Sequence, residues 1–155
     1  IRKLILNNKS SFNQNTDLLL YMAARSENID IIRKSFNKKI ILIDRFTDST
    51  IAYQHYGMGI DLNLIKTLNK YLLQNIKVSF TFLNIVNKKN LQKRLKKRKT
   101  LNRYDKFKMS FYNRVQKGFI KLSKEQKNKY QLINSNLEIK KNEKLLLSKI
   151  DKLIK

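Results

Sequence analysis

The chain has 155 residues, and 35 lysines and arginines against 11 aspartates and glutamates leave a formal net charge of +24. Its length suits one domain with a real core, and the absence of cysteine excludes a disulfide framework or a thiolate metal site. No apolar run approaches the ~20 residues of a membrane-spanning helix and no signal peptide is visible, so a cytoplasmic protein without a membrane partner is expected.

Such a charge ordinarily points to nucleic acid. Here only eight of the basic residues are arginine, and lysine runs from Lys3 to Lys155, denser after Lys88. With abundant Asn and Ile and no Pro or Trp, that bias matches AT-rich codon usage. A nucleic-acid face concentrates its charge and uses arginine at specific contacts. No specific nucleic-acid partner is therefore expected, although weak, salt-sensitive polyanion binding follows from the charge alone.

In chain order, Ile1 to Leu6 reads as the end of a helix, so the chain is expected to start part-way through a larger unit. Leu18, Leu19, Met22, Ile29 and Ile32 have helical spacing over 14–36. The aliphatic run Ile40-Ile41-Leu42-Ile43 predicts a buried strand at 39–43, of the kind found in parallel sheets. A helix over 47–56 is stopped by Gly57-Met58-Gly59. Another follows at 61–75, with Asp61 as N-cap. A strand at 78–83 leads to a basic helix at 88–98 and a loop at 99–105. Helix 106–127 points Phe107, Phe111, Val115, Phe119 and Leu122 inward. A strand at 130–133 and a helix at 138–154 close the chain. Strands alternating with helices imply βαβ units and a parallel sheet in a single domain over 1–155.

Asp44 and Arg45 stand at the carboxyl end of the first predicted strand, where open α/β sheets bind ligands. A carboxylate there can hold magnesium, or it can cap a helix or pair with a lysine. The planar fork of arginine suits a phosphate. Ser49, Thr50, Tyr53 and Gln54 fall at i, i+1, i+4 and i+5 and can share a helical face. Tyr21 and Arg25, four apart, can stack on a flat base and donate hydrogen bonds to it. Alone, each of these groups reads as an ordinary helix face, and the basic run 91–105 as a solvated helix and loop. Phe46 reads as core, and His55 as surface.

Together they form a pattern. Asp44-Arg45-Phe46-x-x-Ser49-Thr50-x-Ala52-Tyr53-Gln54 resembles the signature of thymidylate kinases, which phosphorylate dTMP with ATP. Leu18-Leu19-Leu20-Tyr21-Met22-Ala23-Ala24-Arg25 resembles a second motif of that family. Arg94-x-x-x-Arg98 leading into Asn102-Arg103-Tyr104-Asp105 resembles its lid, giving a lid-like segment at 88–105. The chain departs from the family at Tyr21, which is usually Phe, at Asn102, usually Asp, and at Asp105, usually Glu.

The resemblance implies a three-layer α/β/α parallel sheet of the P-loop nucleoside monophosphate kinase type, with the first two strands missing from this chain. No G-x-x-x-x-G-K-[ST] loop is present. That loop is expected upstream, and the piece is expected to be inactive alone, with two inner sheet edges unpaired. By the resemblance Asp44 lies beside Mg2+ and the transferring phosphoryl group, and Arg45 grips the acceptor phosphate. Tyr21 and Arg25 meet the base, with Ser49, Thr50 and Gln54 around it, and Tyr53 packs by the deoxyribose and disfavours a 2′-hydroxyl. Arg94, Arg98 and Arg103 close over ATP, and Arg114 is structural. The family is homodimeric, with the helix matching 14–36 at the interface. Another P-loop nucleotide or deoxynucleoside kinase, or a noncatalytic basic nucleic-acid-binding module, are the alternatives.

Overall fold

The computed structural model describes residues 1–36, 38–99 and 101–154. Thr100, inside the predicted lid-like segment, and Lys155, the last residue of the predicted domain, lie outside them. Two compact units emerge, Ile1–Val78 with Thr100–Leu122 and Ser79–Lys99 with Ser123–Lys155. No described helix is long and apolar enough to cross a membrane.

The first unit opens with α1 (Arg2–Leu6) and α2 (Gln14–Arg33). Asn13 caps α2, its side-chain oxygen accepting from the Thr16 N–H at 2.8 Å. Leu18, Met22, Ile29 and Ile32 are buried as their spacing predicts. Leu19, also expected inside, is 58% exposed, because it stands one residue (about 100° of helix) off that stripe. The segment after Phe46 is helical as expected, but not uniformly. One turn of α-helix, α3 (Thr47–Thr50), widens into a π-helix over Ile51–Gly57. Gly59 ends it in the left-handed region at φ 87°. Asp61 caps α4 (Leu62–Leu73) through the Leu64 N–H at 2.8 Å.

The strand expected at 39–43 does not form. Ile40 to Ile43 belong to no ladder among the described residues, and Ile40, Leu42 and Ile43 are 66%, 83% and 44% exposed. A continuous aliphatic strand needs hydrogen-bonding neighbours and cover on both faces. Here only Ile41 finds cover, against Ile29, Ile32 and Ile76.

In the second unit, β1 (Thr81–Ile85) pairs in parallel with β2 (Tyr130–Asn134), from Thr81 opposite Tyr130 to Ile85 opposite Asn134. β1 starts three residues later than the predicted 78–83. Its extent is set by β2, which follows directly on a 3₁₀ turn at Lys127–Lys129. Parallel strands, α5 (Lys88–Lys96) and α7 (Ile139–Ile154) make this an α/β unit. Asn87 and Asn134 tie its loops, Asn87 donating its N–H to Asn136 at 3.1 Å.

α6 (Met109–Glu125) brings Phe111 and Val115 to 4% exposure and Leu122 to 8%. Phe107, expected inside, precedes the helix and remains 37% exposed, stacked on Phe111 at 4.3 Å. Gly57 and Gly118 permit close approach within this core. A Cβ on Gly118 would come within 2.6 Å of Tyr56 Cγ and 2.8 Å of its Cβ, and one on Gly57 within 2.6 Å of the Phe111 ring. Tyr56 cannot retreat by a rotamer change alone, since its own Cβ is in the way. Gly118→Ala is expected to destabilise the chain by about 1–3 kcal/mol, as overpacking does, which chemical denaturation against wild type measures.

Candidate functional site

Most of the predicted site residues lie in the first unit, on α2, on the segment Asp44–Gln54 and on a 3₁₀ turn at Arg103–Lys106. Arg45 has φ 63°, a left-handed backbone that a non-glycine side chain adopts at a cost of order 1–3 kcal/mol and that clusters at functional sites. The kink carries its guanidinium over the Tyr53 ring, 5.2 Å from the centroid. Asp44, beside it, is exposed. Among the described residues no group of three or more His, Cys, Asp or Glu is placed to hold a metal.

The wide π-helical turn sends the hydroxyl and amide residues two ways. Thr50 is buried and accepts from Arg25 Nη2 at 2.7 Å. Tyr53 turns towards the aromatic rings, edge-on to Tyr104, Phe111 and Phe119 at 5.9, 5.9 and 6.3 Å. Gln54 is 2% exposed, and its amide approaches the Tyr104 hydroxyl at 3.5 Å. Ser49 is half-buried. The widened turn leaves carbonyls to be satisfied. Arg114 donates Nη2 to the Gly57 oxygen at 2.7 Å and Nε to it at 3.3 Å, a structural role as expected. His55 is half-buried rather than surface, its Nδ1–H donating to the Ile60 carbonyl at 2.7 Å.

Arg25 is 9% exposed. Besides Thr50, Nη2 donates to the Phe46 carbonyl at 3.0 Å and Nη1 to the Asn69 side chain, and the guanidinium lies 5.3 Å over the half-buried Phe46 ring. Burial lowers its pKa to about 10, opposed by the charge of Asp48. Tyr21, four residues earlier, faces another group of side chains and stands edge-on to Tyr104 at 6.2 Å.

Two residues absent from the predicted set join these groups. Asp17, 2% exposed, accepts from Arg103 Nη2 with one carboxylate oxygen and from the Tyr104 hydroxyl with the other. Burial, and donation to Asp17, push the Tyr104 hydroxyl far above the ordinary tyrosine range, and burial raises Tyr21. Arg103 Nε is buried without a partner. Arg94 and Arg98 belong to the second unit, where Arg94 donates to the Ser135 carbonyl at 2.6 Å.

A profile of the thymidylate kinase family matches residues 1–146. The chain belongs to that family. It is 33% identical over 147 residues to a thymidylate kinase of Wolbachia sp. subsp. Brugia malayi, covering 94% of this chain and 69% of the relative. A thymidylate kinase of Kosmotoga olearia is 29% identical over 143 residues, 91% of this chain and 69% of that protein. A crystal structure of thymidylate kinase from Ehrlichia chaffeensis superposes with a TM-score of 0.69 at 31% identity, covering 95% of this chain and 69% of that one. The α/β fold is thus that of the P-loop nucleoside monophosphate kinases, and the ordered motifs identify the class where the charge would have misled.

Asn102 and Asp105 form a capping box. The Asn102 side chain accepts from the Tyr104 N–H at 2.8 Å, and Asp105 accepts from the Asn102 N–H at 2.9 Å. One signal for Asp17 was available: it precedes Tyr21 by four residues, one helical turn away on the same side. Nothing local marks Tyr104 as its partner.

Because the folded pKa of Tyr104 is raised, the folded state keeps its proton after the unfolded chain has lost it. Stability from this group is present below pH ~10 and is lost as pH rises above it. Unfolding free energies across pH 9 to 11, by denaturant titration, are expected to fall more steeply for wild type than for Tyr104→Phe (a range about the ordinary tyrosine value).

Proposed function

We propose that the chain carries the acceptor side of a phosphoryl-transfer site that converts dTMP to dTDP with ATP as donor. The observation that carries this reading is the left-handed Arg45, which spends backbone strain to hold a phosphate-binding fork beside Tyr53. In this reading Arg45 grips the acceptor phosphate while Tyr53 fills the space a 2′-hydroxyl would need. Tyr21 stacks on thymine. Arg25, Ser49, Thr50 and Gln54 frame the base, Arg25 exchanging one of its present acceptors for a base carbonyl or holding Thr50 toward it.

Phosphoryl transfer asks little covalent chemistry of a protein, so catalysis rests on positioning and on neutralising charge. Arg94, Arg98 and Arg103 supply that charge on the ATP side. Magnesium bound to nucleotide phosphates keeps most of its waters and needs one or two carboxylates, so the exposed Asp44 fits it without a preformed cluster. When bound, the ion neutralises donor-phosphate charge. We further infer a homodimer through α2, where Leu19 and Ala23 lie one turn apart and exposed.

Calorimetric titration of the 155-residue chain with dTMP is expected to show saturable binding that Arg45→Ala weakens at least tenfold, the loss of a charge-assisted phosphate contact. Binding to single-stranded DNA at low salt is expected to survive that substitution, because it rests on dispersed lysines. Stabilisation by another nucleoside monophosphate and not by dTMP would redirect the assignment to a different kinase of this fold. Tight DNA binding with no nucleotide binding would overturn it.

A further inference from the structure

Two of the pieces of chain that the resemblance assigns to the nucleotides, α2 and the turn at Arg103–Lys106, are far apart in sequence, and one carboxylate links them. Asp17 stands on α2 one turn before Tyr21 and two before Arg25. Its two oxygens are taken by consecutive residues of one 3₁₀ turn, Arg103 and Tyr104. That turn has hydrogen bonds of its own. The Asn102–Asp105 capping box closes it, and Tyr112 donates its hydroxyl to the Tyr104 carbonyl at 2.8 Å. Tyr104, once fixed, presents its ring edge-on to both Tyr21 and Tyr53, at 6.2 and 5.9 Å. Its hydroxyl also accepts from the Gln54 amide at 3.5 Å.

We propose that Asp17 is a positioning residue that locks the Arg103–Tyr104 turn onto α2, so that the aromatic walls of the nucleoside pocket and the arginine of the lid are set together. The inference rests on the reading in which Tyr21 and Tyr53 meet the nucleoside. Asp17 touches no substrate in this arrangement; it acts through Tyr104 on the pocket and through Arg103 on the phosphates. The chemistry requires an acid. A carboxylate accepts from a guanidinium and a phenol at once, with a lone pair to spare on each oxygen. An amide offers one oxygen and two unwanted donors. Tyr104 is equally particular, since phenylalanine keeps the ring but cuts the tether. Two aromatic edges then lose their brace, and the space that Tyr53 closes to a 2′-hydroxyl opens.

The test compares wild type, Asp17→Asn, Tyr104→Phe and the double variant, titrating each with dTMP and with ribothymidine 5′-monophosphate in a calorimeter and melting each as a check on folding. Wild type is expected to prefer dTMP. Each single substitution is expected to cost roughly tenfold in dTMP affinity, the scale of a hydrogen bond to a charged group, and to narrow the preference for dTMP. The double variant is expected to bind no worse than the weaker single, because both changes cut one tether and their effects do not add. A merely structural contact would lower the melting temperature and leave the preference between the two sugars unchanged. An unchanged preference, or additive losses, overturns the proposal. If Asp17→Asn does not fold, Tyr104→Phe decides alone by its preference ratio. Wild type binding neither nucleotide sinks the acceptor-site reading and this inference with it, an outcome distinct from normal wild type with unaffected variants.

Discussion

Asp17 is the one buried acid among the described residues of a chain with formal charge +24. Its ion pair with Arg103 and its hydrogen bond from Tyr104 bind α2 to the turn at Arg103–Lys106, more than eighty residues on. A buried ion pair contributes little net stability, because desolvation offsets the attraction, but losing one member strands a charge and costs several kcal/mol. Such a pair is therefore better understood as a specifier of geometry than as glue. It selects one packing of the turn on the helix, and the edge-on contacts of Tyr104 with Tyr21 and Tyr53 follow from that packing.

Two backbone irregularities complete the arrangement. Arg45 occupies the left-handed region, and six residues later the helix widens into a π-turn that lasts to Gly57. Both are costly locally, and both are over-determined by their surroundings. The π-helix carbonyls find donors in Arg114, in the Gly59 N–H and in the Ile60 N–H, and Gly57 lets Phe111 and Val115 close against it. Without the widening, Thr50 and Tyr53 would share a face. With it, Thr50 reaches Arg25 while Tyr53 joins the aromatic cluster.

Residues of the turn at Arg103–Lys106 act on the same contacts. Tyr104 supplies the hydroxyl that donates to Asp17. Asn102 is the N-cap, and Asp105 completes the capping box. The family motifs keep their order, and the turn at Arg103–Lys106 is held by the capping box and by the Asp17 contacts.

Much was legible in the sequence. Helical spacing located α2, α4, α6 and α7 to within a few residues, Asp61 marked the cap of α4, and the order of three motifs gave the family, because each of these signals is local. The expected strand at 39–43 failed because a strand depends on partners that its own residues do not specify. Leu19 and Phe107 were misplaced because one residue of helix rotation, or two residues before a helix start, decides burial. Asp17 and Tyr104 became visible only in three dimensions. An isolated acid or tyrosine in a sequence carries no sign of the group it will meet, and here that meeting is fixed by packing between segments far apart in the chain. The opposite fates of Thr50 and Tyr53 were hidden for the same reason, since the π-turn is stabilised by donors and close contacts from Arg114, Phe111 and Val115 rather than by the sequence of the turn itself.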